Sequence, residues 1–395
     1  MRVIHLLCLS YLTVCIVVSA VTAQETEDIA VGRLKYVDSV SGDELQSVTS
    51  TAISGDGNFL YASAWRTKTI SVFQRHSKSG RLEHRQSVVD DNDLNGATAL
   101  RLSPDGRYAL ASAFRSQTAV LYTRDRMDGS LRKSDVAREG VNDVTGLTWA
   151  IDAAFSVDSK FVYVIDSKGP GAGAGDSGTV TVFSITDEGK LEFVEANNGK
   201  ENCFGNARGI AMHPDGKTIL VTCSGANTLV VLNRDKETGK TTIRQIVKDE
   251  DDGVHGLEGA NGVAISPDGK FVYTASGRFR GDDSIGVFQF DDEGKLSVVQ
   301  EIANGESGLE EFVGGNEIAV SPDGKNVYAV GTRNSSMACF ERDNETGKLK
   351  AMKTIRRDDG AIEGAAGIGV TPDGNFVYIA AEENRTVSVF RRRVK

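Results

Sequence analysis

Basic residues, aromatics, cysteines and histidines are all in short supply in this chain, and each shortage narrows the field. Lys and Arg total 45 against 55 Asp and Glu, a net charge of −10. That sign argues against general binding to nucleic acid. Aromatics make up only 7% while Gly reaches 43, a balance that suits turn-rich, all-β structure. Beyond residue 23 no apolar run is long enough to cross a membrane. Past that point only Cys203, Cys223 and Cys339 remain. Cys203 and Cys223 flank one predicted hairpin and could pair only if the loop at Asn202 curls back, whereas Cys339 reads as a small hydrophobe in a strand. Of the four histidines past residue 23, His76 and His84 fall in or beside outer strands and His213 in a turn, which leaves His255 in a long loop. There is no Gly-x-Ser-x-Gly elbow, no zinc spacing and no Walker loop. The glycine-rich run 169–178 lacks Gly-Lys-Ser/Thr and reads as a flexible loop.

Residues 1–23 read as a targeting segment. Arg2 supplies the positive end, Leu6 to Ala20 is nearly all apolar, and Val21-Thr22-Ala23 is a small-residue cleavage site. An uncleaved anchor is the alternative. The expected protein is secreted, extracellular or periplasmic, with residues 24–395 as one domain.

What the chain has in abundance is one hairpin. Ser266-Pro267-Asp268-Gly269 is a turn signature, and Phe271-Val-Tyr-Thr-Ala-Ser276 alternates apolar with small or polar residues, as a half-buried strand does. Gly262–Ile265 reads as its partner strand. Copies are centred on Asp56, Asp105, Asp158, Asp215, Asp268, Asp323 and Asp373, spaced by 49 to 57 residues. Each is followed by a strand such as Ile285–Phe288 and a turn such as Gly294-Lys-Leu296, which opens a fourth strand. A period near fifty with four strands per unit predicts a seven-bladed β-propeller of four antiparallel strands per blade. The last repeat has only three strands, and the surplus one lies at the other end, where Gly32-Arg-Leu-Lys-Tyr-Val37 matches Gly347-Lys-Leu349. The N-terminal strand should complete the last blade and close the ring, leaving no free edge.

In a propeller the short, uniform turns lie on one face and the long, variable loops on the other, so a site belongs on the second, around the channel. Five positions before each turn Ser (His213 or Thr371 in two repeats) stand Thr49, Thr98, Ile151, Arg208, Asn261, Asn316 and Ala366, where the innermost strand enters the channel. Asp152 and Glu317 follow one position on. Loops between second and third strands add Arg66, Arg115, Arg278, Arg280, Arg333 and Arg385. A cationic ring around an Asn-lined mouth suits an anionic small molecule or a carbohydrate acid; the plain alternative is solvated arginines paired with acidic loops. Asp91, Asp93 and Asn95 have the D-x-D-x-N-G spacing of a calcium loop, but the twelfth position is Leu102 where a Glu would be needed. No cofactor is required by anything else. Sequons stand at Asn334, Asn344 and Asn384. A monomer is expected.

The Ser-Pro-Asp-Gly-Lys-Phe-Val-Tyr, Val-x-Val-Phe and Thr-Gly-Lys-Leu motifs resemble the seven-bladed lactonase family over residues 32–393. That family includes propeller-type 6-phosphogluconolactonases and fungal carboxymuconate cyclases. Asn206-Ala-Arg-Gly-Ile-Ala-Met-His-Pro-Asp-Gly216 is similar to the family's Gly-Pro-Arg-His-x-x-Phe-His-Pro-Asp-Gly stretch, and the resemblance puts Arg208 on an active-site Arg. Gly209 replaces the neighbouring His, Cys223-Ser224 replaces an Asn-Glu, and Ile151 stands where a His is frequent. Two functions follow as expectations. One is a lactonase-like hydrolase or isomerase, with Arg208 as electrophilic clamp and Glu317 or His255 handling protons. The other is a non-catalytic extracellular module that binds a small anion, a carbohydrate or a protein through the loop-rich face.

Overall fold

The computed structural model describes residues 33–168, 178–199, 202–359 and 361–393. The targeting segment and most of the glycine-rich loop lie outside them. The described chain is a ring of seven sheets, six of them running from the axis outward in sequence order. Blade one, for example, comprises Val48–Ile53, Phe59–Ala64, Thr69–Arg75 and Leu82–Val89. In blade seven the outermost position is taken by Leu34–Ser41, which pairs antiparallel with Thr386–Arg392 and closes the ring. In blade six the outer strand is split into Leu349–Ala351 and Ile355–Arg356, both pairing with Ser336–Arg342.

Burial follows from stacking. The second strand of every blade is buried at all six positions, as in Phe271–Ser276. The half-buried strand expected from its alternation is therefore covered on both faces, because each blade packs against two neighbours. The buried apolar residues form seven clusters, one per blade junction: Tyr61, Val72, Leu100 and Val120 lie at the first, and Leu60, Tyr378 and Val389 where blade seven meets blade one. Among the described residues the buried apolar side chains are divided among these junctions, so each junction contributes its own share of stability.

The repeated turn carries its own hydrogen bonds. The Ser266 hydroxyl donates to Asp268, accepts from the Phe271 N–H, and the Asp268 carboxylate accepts from the Lys270 N–H. Gly269 has φ +73, the left-handed region a side chain resists. Both kinds of short turn sit at one end of the ring. Tyr61 donates its hydroxyl to the Gly129 carbonyl of the Gly-Ser-Leu turn, while Arg124 reaches the Gly106 carbonyl and the Asp56 carboxylate.

Candidate functional site in the channel mouth

At the opposite end the innermost strands build a pocket. In each blade the pairing of first and second strands slips by one residue at one place: between Val48 and Ser50, between Ala207 and Gly209, between Ala260 and Gly262, and at the matching points elsewhere. The extra residues are Thr49, Thr98, Ile151, Arg208, Asn261, Asn316 (with Glu317) and Ala366. A bulge turns its side chain out of the sheet's alternation. Here it turns seven of them into the channel, where all seven line a cavity of about 420 Å³.

Four of these residues link blade to blade. Thr49 donates to the Thr98 carbonyl at 3.0 Å, Thr98 to the Ile151 carbonyl at 2.9 Å, Asn261 to the Asn316 carbonyl at 3.1 Å and Asn316 to the Ala366 carbonyl at 2.6 Å. The chain of bonds is interrupted at Ile151 and Ala366, which cannot donate, and at Arg208, which projects into the cavity instead.

Beneath the mouth Arg101 crosses the channel. Its guanidinium lies 2.9 Å from Asp152 and 3.2 Å from Glu317, and reaches Ser50 at 3.2 Å, so blades one, two, three and six meet on one side chain. Burial lifts the carboxyls of Asp152 and Glu317 above their ordinary range, against the opposing pull of Arg101. Glu317 also accepts from the Ile368 N–H at 2.8 Å, and Asp152 from the Ala153 N–H at 2.8 Å.

Arg208 stands apart from this arrangement. No carboxylate among the described residues pairs with it, and its Nε is shielded from solvent with no hydrogen-bond partner. Its guanidinium lies over the ring of Phe279 at 4.5 Å, and Arg278 lies over the same ring at 5.2 Å. Burial, and then the charge of Arg278, push its pKa down to about 10. Arg278 is better satisfied: it donates to Asn316 Oδ1 at 2.6 Å and stands 3.8 Å from Glu382. On the neighbouring bulge, Asn261 is only 7% exposed, and its Oδ1 has no partner. A buried donor and a buried acceptor are thus both left open on adjacent blades, each a costly state without a ligand or water.

Across the cavity Trp65, Phe114 and Trp149 form an arc, with ring centroids 6.5 Å and 5.5 Å apart. Trp65 donates its indole N–H to Glu382 at 2.9 Å.

Of the residues singled out by sequence, Arg208, Glu317, Asp152, Asn261, Asn316 and Arg278 come together here. His255 does not: it is exposed beside Asp249 and Glu301, outside the cavity lining. Arg66 and Arg115 sit over the Trp65 ring at 5.1 Å and 4.8 Å, outside the lining, and Arg333 bonds the Gly277 carbonyl and faces Asp283. In the acidic loop, Asp91 meets Lys68, and Asp93 meets Lys133 and Arg138, so cationic side chains hold its carboxylates. Asn95 gives its carbonyl to the Arg115 and Ser116 N–H groups. Among the described residues no cluster of three His, Cys, Asp or Glu has metal-ligand geometry. The Cys203–Cys223 pairing that the sequence left open is not formed: both side chains are buried, and no disulfide joins them.

The sequence reading missed Arg101, the three aromatic rings, Phe279 and Glu382. Arg101 had a signal. Three positions after each bulge residue stand Ala52, Ala154, Ala211, Ala264, Ala319 and Gly369, and only blade two places a long charged side chain there.

The family described as lactonase, 7-bladed beta-propeller, matches residues 17–144, 134–245, 206–359 and 317–395. The chain belongs to this family. A 6-phosphogluconolactonase of Bacillus subtilis is 29% identical over 146 residues, 37% of this chain and 39% of that protein. The chain spans between a third and just under two thirds of the length of the curated relatives it matches. Among solved structures, a candidate 6-phosphogluconolactonase of Bacteroides fragilis superposes with a TM-score of 0.66 at 19% identity, covering 88% of this chain and 90% of its own. The periplasmic gluconolactonase of Pseudomonas aeruginosa gives 0.62 at 20%, covering 78% and 85%. At such identities these structures establish the shared propeller.

Proposed function

We propose that this lactonase-family propeller binds a small anionic sugar acid or its lactone in the channel mouth. The observation that carries this reading is Arg208. A desolvated guanidinium that lines the cavity with no carboxylate partner, beside a second guanidinium, is a stable arrangement mainly when an anion completes it. Asn261 Oδ1 would accept from a ligand hydroxyl. We also infer export, on the strength of the 1–23 segment and the periplasmic relative.

Hydrolysis is the second reading, favoured by the Glu317 carboxyl, which burial holds above its ordinary range within the same cavity. A carboxylate so placed could take a proton from water as the water adds to a lactone carbonyl and the ring C–O bond breaks, giving the hydroxy acid. Arg101 and the Ile368 N–H already engage both of its oxygens, which weighs toward binding as the first reading.

The test is thermal unfolding against 6-phosphogluconate, gluconate, glucuronate and uncharged sugars. A ligand that binds only the folded state raises the melting temperature. The reading expects a shift with the acids that Arg208→Gln abolishes without lowering the basal melting temperature. A shift unaltered in Arg208→Gln would overturn it. Turnover of a lactone, lost in Glu317→Gln, would establish the second reading.

A further inference from the structure

The cavity is chemically two-sided. Blades four and five supply Arg208 and Arg278, with Phe279 between them; blades one to three supply Trp65, Phe114 and Trp149. On the aromatic side the cations are otherwise placed: Arg66, Arg115 and Lys168 lie over the rings outside the cavity lining, and Arg101 is paired with Asp152 and Glu317. An open-chain aldonate could satisfy Arg208, but it is flexible and hydroxylated on all sides, so it presents no flat apolar face. A pyranose or lactone ring does present one, through its axial C–H groups, and such a face suits an aromatic wall.

Each ring is held in place by neighbours rather than left to collapse. Phe114 meets Trp149 edge-on at 86°, Lys168 caps Trp149 at 3.7 Å from its centroid, and Arg115 lies over Trp65. All three rings are partly buried and line the cavity, so part of their surface faces it. Asn261, whose Oδ1 has no partner, lines the same space, and a ligand hydroxyl could satisfy it where an inorganic anion such as chloride could not.

We infer that the Trp65–Phe114–Trp149 arc is a ring-binding subsite. The ligand of this pocket is a cyclic sugar acid or lactone, and its open-chain form is discriminated against. The inference rests on the anion reading of the pocket for the charge, and on the arc alone for the ring.

Glucuronate and gluconate separate these two features. Both are six-carbon monoanions, but the first is chiefly a pyranose in water and the second an open chain. Calorimetric titration of the whole protein should give an affinity for glucuronate roughly threefold to tenfold above that for gluconate, the scale of one aromatic contact. Trp149→Leu and Phe114→Leu, which keep apolar bulk without a flat face, should bring the ratio toward one, chiefly by lowering the glucuronate affinity. Equal affinities in the unaltered protein, or a preference that survives both substitutions, would overturn the ring subsite and leave the anion clamp standing. Methyl glucoside, a ring without charge, provides the converse. If it binds as tightly as glucuronate and loses affinity in Trp149→Leu, the ring subsite stands and the anion reading fails. No binding by any of the three overturns both.

Discussion

Arg124 donates its Nε–H to the hydroxyl of Tyr61 at 2.5 Å, across the junction between blades two and one. Equivalent pairs join Arg75 to Tyr378, Arg234 to Tyr163, Arg342 to Tyr273 and Arg392 to Tyr328. In each, the arginine also faces the turn aspartate of the preceding blade. The two remaining junctions lack both partners at once. Leu110 stands in for the tyrosine where Ile185 replaces the arginine, and Leu220 where Phe290 does. The chain thus exchanges the polar pair only as a pair, as expected when stranding either half in a packed junction is costly and replacing both is not.

A double-mutant cycle at that junction follows. Arg124→Ile alone should destabilise by roughly 1–3 kcal/mol, because the Tyr61 and Asp56 oxygens lose a buried donor. Adding Tyr61→Leu should cost less than its effect alone, with a coupling of about 1 kcal/mol in denaturant unfolding. Strict additivity would show that the pair is not the unit of exchange.

All seven turn aspartates have carboxyls held below the ordinary range. Burial alone would raise them, but hydroxyl and backbone hydrogen bonds, aided in most turns by an arginine or His213, outweigh it. A lowered folded-state pKa means stability that is present above the unfolded value of 3.8 and lost as pH falls through the lower folded values. Acid unfolding should therefore be steep below about pH 4, with Asp268→Asn shallower than the unaltered protein by the loss of one group. An unchanged slope would contradict this.

Most of this architecture was legible in the sequence because the repeat carries its own turn chemistry: seven Asp-centred hairpins, a third strand and an opening fourth strand set blade number and ring closure. The positions that enter the channel were legible too, because a bulge at a constant distance from a constant turn places Arg208, Asn261 and Asn316 on one rim. The aromatic arc was not. Trp65 and Phe114 follow the ends of second strands and Trp149 precedes a first strand, so only the ring geometry gathers them. Arg101 required aligning the repeats on their Ala and Gly positions. His255 stands apart for a related reason: its loop is on the loop-rich face but outside the cavity, beside Asp249 and Glu301.

Removing the cross-channel cation should be pH-sensitive. Arg101→Leu leaves Asp152 and Glu317 buried without their counter-ion, a loss of about 3–5 kcal/mol when both are ionised. Both carboxyls already sit above their ordinary range and would rise further. A raised folded-state pKa gives stability that is present below the unfolded value and lost as pH rises through the folded one. The drop in melting temperature for Arg101→Leu should thus be larger at pH 8 than at pH 5. An equal drop at both would mean that Arg101 acts by packing alone.

The chain has two tryptophans, Trp65 and Trp149, and both line the cavity. Intrinsic fluorescence therefore reports on the channel mouth with no added probe. Titration with glucuronate should give a saturable change in tryptophan emission that disappears in Arg208→Gln, whose unliganded spectrum stays as it was. Emission that does not respond, or that responds equally in Arg208→Gln, would contradict the account of this pocket as an anion-binding site.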